Sequence, residues 1–375
     1  MPSALLRLWR TRSFTEADAA ARADCPPCHV RRMKPSPLPA PLTMPFLAAQ
    51  ARLLGVSPSR LRASDLRSPY HGTRAGEMPA IETMEDSVRR RALEYSPAMR
   101  SAEFFCLVAA AVLWGAPLPF YAFQVPSNED GFTERPVDVG VILPARAARG
   151  RGVRGRSIRA GWGSVRTDPA TGLRLTSPAT TWAMMGPILG RDDLVALGDG
   201  FVREPMRSDD PPALATIGEL TAAVDVGRRP GVRALREALP LIRTRSRSRK
   251  ETQTRLVLTD ARLPEPELNF PVLVGGSIVA LIDLAFPELL LGFEYEGEQH
   301  LIDPEQWASD IRRYEMLTSL GWRIIRVTKS DLRAQRANFV ARARAAYSAA
   351  AASRGGLLDR SSSAVRLPQN AISNA

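Results

Sequence analysis

Apolar and polar positions alternate most legibly in the last third of the chain. "RKETQTRLVLTD" predicts a helix over 249–260, and "SIVALIDLAF" (277–286) reads as a strand. Phe286-Pro287-Glu288 then turns the chain, and "LLLGFEYE" (289–296) returns as a second strand. Trp307, Ile311, Tyr314 and Leu317 recur at helical spacing and predict the core stripe of a helix over 304–320, with Gly321 as its C-cap. "WRIIRVT" (322–328) follows as a buried strand, an Arg/Ala-rich helix covers 331–350, and 351–375 is a polar, flexible tail.

Upstream, "TMEDSVRRRALEYSPAMRSAEFFCLVAAAVLWGAPLP" (83–119) predicts two helices, the second opened by Ser96-Pro97 and stopped by Gly115. Residues 137–144 form a strand, and the Gly/Arg-rich stretch 145–159 is a loop running into strand-like sequence. Over 173–203 a strand leads to Ser177-Pro178, a helix over 179–189 and a helix opened by Asp192 and Asp193; a last helix spans 231–242. In 44–95 two short helices joined by "LGVS", the second bearing Arg60 and Arg62, suit a helix-turn-helix and equally a plain helical hairpin. Residues 1–43, Pro-rich near their end, read as a disordered extension, with Met44 an alternative start.

These elements predict an α/β (α+β) chain: an extension (1–43), a helical segment (44–95), a small α/β domain (96–242), and a C-terminal domain (243–350) built on a mixed sheet flanked by helices. A basic hinge, "RTRSRSRK" (243–250), joins the last two.

Charge narrows the partner. The net charge of +12 favours a polyanionic partner, most often nucleic acid, although an arginine-rich genome composition produces the same excess. The Gly/Arg loop and the hinge offer Arg149, Arg151, Arg154, Arg245 and Arg247 for phosphate contacts. Cys25, Cys28 and Cys106 are too few for a disulfide framework and point to a reducing, cytoplasmic compartment. "CPPCH" (25–29) matches a haem-attachment pattern in the wrong context, so no haem is expected. No membrane span is expected either, because Gly115, Pro117 and Pro119 break the apolar run 104–123 short of the ~20 residues a bilayer needs.

The candidate chemistry lies in "DLAFPELLLGFEYEGEQH" (283–300). Strand alternation puts Glu294 and Glu296 on one face, opposite Phe293 and Tyr295, and a hairpin brings Asp283 beside Glu294. Three converging carboxylates would hold Mg²⁺ or Mn²⁺; the other reading is an exposed acidic strand face. Asp310 and Arg313 are three apart on one helix face, either as an intrahelical pair or as braces of this site. Arg323 and Arg326 point to opposite faces, so at most one, Arg326, reaches the cleft.

The run D-L-A-F-P-E-L…F-E-Y-E-G-E-Q-H, followed by D-I-R-R-Y-E…L-G-W-R-I-I-R-V-T, resembles the very-short-patch-repair-like endonuclease domains of the PD-(D/E)XK nuclease superfamily over about 248–347. The resemblance implies a restriction-endonuclease-like sheet, with Glu251 as the helix acid and Asp283 and Glu294 as metal ligands. Glu296 stands where such nucleases often carry Lys, and His300 would substitute for it as proton shuttle or transition-state contact. The central unit, with "AAAVLWGAPLP", "GVRGRSIR" and "LTSPATTWAMM", resembles abortive-infection type IV antitoxin-like regions. Two functions follow from these resemblances: a metal-dependent DNA endonuclease, or a non-catalytic DNA-binding regulator of antitoxin type on a nuclease-like scaffold.

Overall fold

The computed structural model describes residues 35–42, 45–127, 131–297 and 304–363, the side chains of 304–309 and 354–363 excepted. It is a mixed α+β chain, as the sequence predicts.

The N-terminal segment is a small cluster of its own. Strand β1 (Phe46–Leu47) leads into helix α1 (Ala48–Leu53) and pairs antiparallel with β2 (Thr73–Arg74). The second helix of a helix-turn-helix is absent, and Arg60–Arg62 makes a single 3₁₀ turn instead. Arg60 folds back onto Asp65 (2.9 and 2.8 Å) and onto the Ser36 carbonyl, so its guanidinium is used inside the segment.

Helix α2 (Met84–Tyr95) opens with a capping box of Thr83 and Asp86. The predicted second helix begins later than expected. Glu103–Phe105 forms strand β3, and only Leu107–Leu113 is helical (α3). An aromatic pair suits a central strand: Phe104 and Phe105 are both buried, and β3 lies at the middle of the sheet. After a short hairpin of β4 (Gln124–Pro126) and β5 (Phe132–Glu134) come β6 (Val137–Ile142), β7 (Arg149–Gly150), β8 (Val153–Ile158), β9 (Val165–Thr167) and β10 (Arg174–Thr176). The six-stranded sheet runs β7-β8-β6-β3-β10-β9 and mixes parallel and antiparallel pairs. Helices α4 (Pro178–Met185), α5 (Arg191–Val202), α6 (Ile217–Asp225) and α7 (Val232–Ala238) complete this domain. Ser177 caps α4 as expected. Gly231 (φ 78°) lies so close to Gly186 that a Cβ would stand 2.2 Å from the Gly186 carbonyl carbon, so α4 and α7 meet only with glycine there.

The C-terminal domain begins with helix α8 (Arg249–Asp260), with the bounds that the sequence predicts. Strands β11 (Glu267–Val274), β12 (Ser277–Phe286), β13 (Leu291–Tyr295) and β14 (Arg323–Val327) form a mixed sheet in that order, with β13 and β14 parallel. Leu284, Phe286 and Phe293 pack on one face with α8 and α10 (Arg336–Ser363), a helix that continues into the region expected to be a flexible tail. Ile282 and Trp322 pack on the other face with Leu317 of α9 (Pro304–Ser319).

The hinge 243–250 is not a free linker. Arg247 pairs with Asp210 and Arg249 with Asp193, joining the two domains, and Arg243 pairs with Glu265. Beneath them Arg255 is bound to Asp199 at 3.1 Å, and the two side chains are only 1% and 2% exposed. Among the described residues no helix is long and apolar enough to cross a membrane. Cys106 is buried, its thiol pushed well up by that burial, while the "CPPCH" motif lies outside the described residues.

Candidate functional site

Asp283, Glu294 and Glu296 come together in a cleft of about 400 Å³ between the sheet and α9, which Asp310, Arg313, Tyr314 and Arg326 also line. The hairpin explains the placement. The β12–β13 register pairs Leu284 with Phe293, so the next pair sets Asp283 across from Glu294. Backbone pairing stops there, and the Tyr295 N–H donates instead to the Asp283 carboxylate at 3.0 Å.

A break in alternation marks the same spot. Ile282 belongs to the α9-side core and Leu284 to the opposite core, although they are two residues apart. Opposite Asp283 on β11 stands Asn269, buried and in the left-handed region (φ 47°), which Asn tolerates better than most residues. Its side-chain amide donates to Glu251 Oε2 (2.8 Å) and to the Arg245 carbonyl (2.9 Å). Glu251 also accepts the Arg247 N–H at 2.9 Å, so the helix acid is held at the head of α8. Irregular strand geometry of this kind re-aims side chains beside functional sites.

Electrostatics separate the acids. Burial, then the neighbouring charge of Glu251, pushes the Asp283 carboxyl up to about 7, and Glu294 adds to the shift; the Tyr295 N–H and Arg313 oppose it. Glu294, by contrast, is fully engaged. Arg313 grips both its oxygens (2.8 and 2.7 Å), and the Tyr314 hydroxyl donates to Oε2 at 2.6 Å. Glu296 pairs with Arg326 at 2.9 Å and lies within reach of the same hydroxyl. Both guanidiniums lie over the Tyr314 ring, at 4.8 and 4.1 Å from its centroid. Burial and Glu294 push the Tyr314 phenol well up, so it donates at any physiological pH.

The donors are hard oxygens, as Mg²⁺ or Mn²⁺ requires, but two of the three expected ligands already have guanidinium partners. Among the described residues no three His, Cys, Asp or Glu side chains converge to hold an ion. The residues as placed do not form a metal cage. His300 lies outside the described residues.

The arginines expected to contact phosphate divide into two groups. Arg149, Arg151 and Arg154 are exposed on the β7–β8 hairpin, without an ion pair among the described residues, and Arg245 is exposed as well. Arg247 grips Asp210 with both nitrogens (2.9 and 3.0 Å), and Arg313 and Arg326 hold the cleft acids. Sequence reasoning missed Tyr314 and Asn269. It placed Tyr314 in a core stripe whose member Ile311 is in fact 37% exposed at the cleft mouth. The tyrosine's polar tip was the available signal, because a buried hydroxyl needs a partner.

No family model matches the chain, and no solved structure matches it. Over 177 residues the chain is 33% identical to the uncharacterized protein Rv2248 of Mycobacterium tuberculosis strain H37Rv, and equally to MT2308 of strain CDC 1551. The match covers 47% of this chain and 63% of each relative, so the chain spans less than two thirds of the curated relatives it matches.

Proposed function

We propose that this protein is a cytoplasmic DNA-binding regulator of antitoxin type, whose nuclease-like C-terminal domain is a scaffold without catalytic activity. The observation that carries this reading is the latch on Glu294: through positive charge and hydrogen bonds, Arg313 and Tyr314 satisfy internally a carboxylate that a metal would otherwise coordinate. Exposed Arg149, Arg151, Arg154 and Arg245 are left to follow a phosphate backbone. The test is anisotropy of a labelled duplex over a salt series. Affinity should fall linearly in log–log form, and Arg149→Ala with Arg151→Ala should flatten the slope by about 2, near 0.9 per lost phosphate contact. A protein with no duplex affinity at low salt would refute the proposal.

A second reading, a Mg²⁺- or Mn²⁺-dependent endonuclease, is favoured by Asp283. A carboxyl raised to about 7 beside two further acids is the environment that a divalent cation relieves. It requires Arg313 to release Glu294. Metal-dependent cleavage that disappears in Asp283→Ala and Glu294→Ala would establish this reading and displace the first.

A further inference from the structure

A second concentration of positive charge lies outside the cleft, in the central domain. A cavity of about 690 Å³ opens between β8, the β4 strand and the end of α4. Arg135, Arg154, Arg156, Arg159 and Arg229 line it around Trp162, and no Asp or Glu is among its lining residues. Among the described residues the carboxylate in contact with these arginines is Asp138. It accepts from Arg156 at 3.1 Å and lies 3.8 Å from Arg135.

Arg229 is the most telling of the five. It is only 9% exposed, its Nε has no hydrogen-bond partner, and burial, unopposed by any carboxylate, lowers its pKa. Its Nη2 donates to the Trp162 carbonyl at 2.9 Å, and its guanidinium stands 5.9 Å from the Trp162 ring centroid. Arg159 lies over the same ring at 4.9 Å. A buried guanidinium without a counter-charge costs free energy unless a ligand supplies that charge. The rest of the wall is apolar: Leu107, Val125, Ile158, Met184 and Ile188.

We propose that this cavity binds a nucleoside monophosphate unit, with the phosphate among the arginines and the base against the apolar wall. Guanidinium forks match phosphate oxygens in pairs, and an anion that also carries a flat apolar body uses both halves of the site. The volume lies within the ~300–1,000 Å³ of small-molecule pockets. The unit can come from a free nucleotide or from a base turned out of a single strand, since both present the same chemistry. This inference does not rest on the reading of the cleft.

The test is calorimetric titration of the full-length protein at low salt with the four deoxynucleoside 5′-monophosphates, with deoxyadenosine and with inorganic phosphate. At least one monophosphate should bind with a Kd below about 1 mM, roughly tenfold or more tighter than the nucleoside or phosphate alone. Arg159→Ala and Ile188→Trp should each weaken that binding by about tenfold or more, near 1.4 kcal/mol, and both should keep the wild-type melting transition. Arg159 is exposed, so its variant decides alone should Ile188→Trp fail to fold. An oligothymidylate that binds more tightly than its mononucleotide identifies a strand as the source, and the reverse order identifies a free nucleotide. No monophosphate binding, equal binding of inorganic phosphate, or unchanged binding by Arg159→Ala would overturn the proposal. Duplex affinity lost in Arg149→Ala with Arg151→Ala is a separate readout, so the two proposals fail independently.

Discussion

Arg255–Asp199 and Arg313–Glu294 are the same chemistry in two settings. The first pair is sealed between α5 and α8. Its Asp199 also accepts the Arg243 N–H (2.7 Å) and the Thr252 hydroxyl (2.7 Å). The second has a buried carboxylate but an arginine 30% open to the cleft. Burial fixes what each can do. A sealed pair can only be structural, because separating it strands a charge without water, whereas in a half-open pair the carboxylate can exchange its arginine for another cation.

Arg255→Ala should therefore have the largest effect, costing about 3–5 kcal/mol through the stranded Asp199. Denaturant unfolding would report it, and a loss near zero would remove the distinction between the two sites. Arg313→Ala should cost about 1–3 kcal/mol, since Glu294 keeps the Tyr314 hydroxyl and gains access to water through the opened cleft. The same variant should bind Mg²⁺ or Mn²⁺ more tightly than the wild type by calorimetry, if the latch and a metal compete for Glu294.

Asp283 sharpens the contrast through pH. Its native pKa of about 7 lies above the unfolded value, so between about pH 4 and 7 the folded state binds more protons and stability falls as pH rises. Asp283→Asn can still accept the Tyr295 N–H and has no charge to bury. It should match the wild type near pH 4 and exceed it at pH 8 by at most about 4 kcal/mol, near 1.4 kcal/mol for each pH unit between about 4 and 7, read from chemical denaturation at the two pH values. Arg233→Ala, which removes the exposed pair with Glu237, should change stability by less than about 0.5 kcal/mol.

Where local pattern and tertiary context agree, the sequence was legible. Helix α8 has its expected bounds because Ser248 caps its start, where Glu251 stands in the first turn, and the apolar residues Leu256, Val257 and Leu258 anchor its last turns. Asp283 stands beside Glu294 because strand alternation and a short turn leave no other register. Four features were hidden. Glu103–Phe105 leaves the helix because a sheet needs its middle strand, a demand set by β6 and β10 far along the chain. Asn269 adopts a left-handed conformation that no neighbour announces, held by Glu251 and the Arg245 carbonyl. The hinge arginines look solvated until Asp193, Asp210 and Glu265 arrive from elsewhere. Tyr314 sits at core spacing, and only the folded cleft reveals its hydroxyl beside Glu294.

Helix α8 serves two masters at once. Leu256 packs into the central core while Val257 and Leu258 pack into the C-terminal one, and Arg255 is sealed on the seam. Neither half is therefore a portable module. A fragment beginning at Ser248 would display Leu256 to water and leave Arg255 with Glu265 as its remaining carboxylate partner, and a fragment ending there would strip Asp199 of Arg255 and the Thr252 hydroxyl. Gene fusions or truncations that treat 243–250 as a natural cut site would sever the element that both halves share.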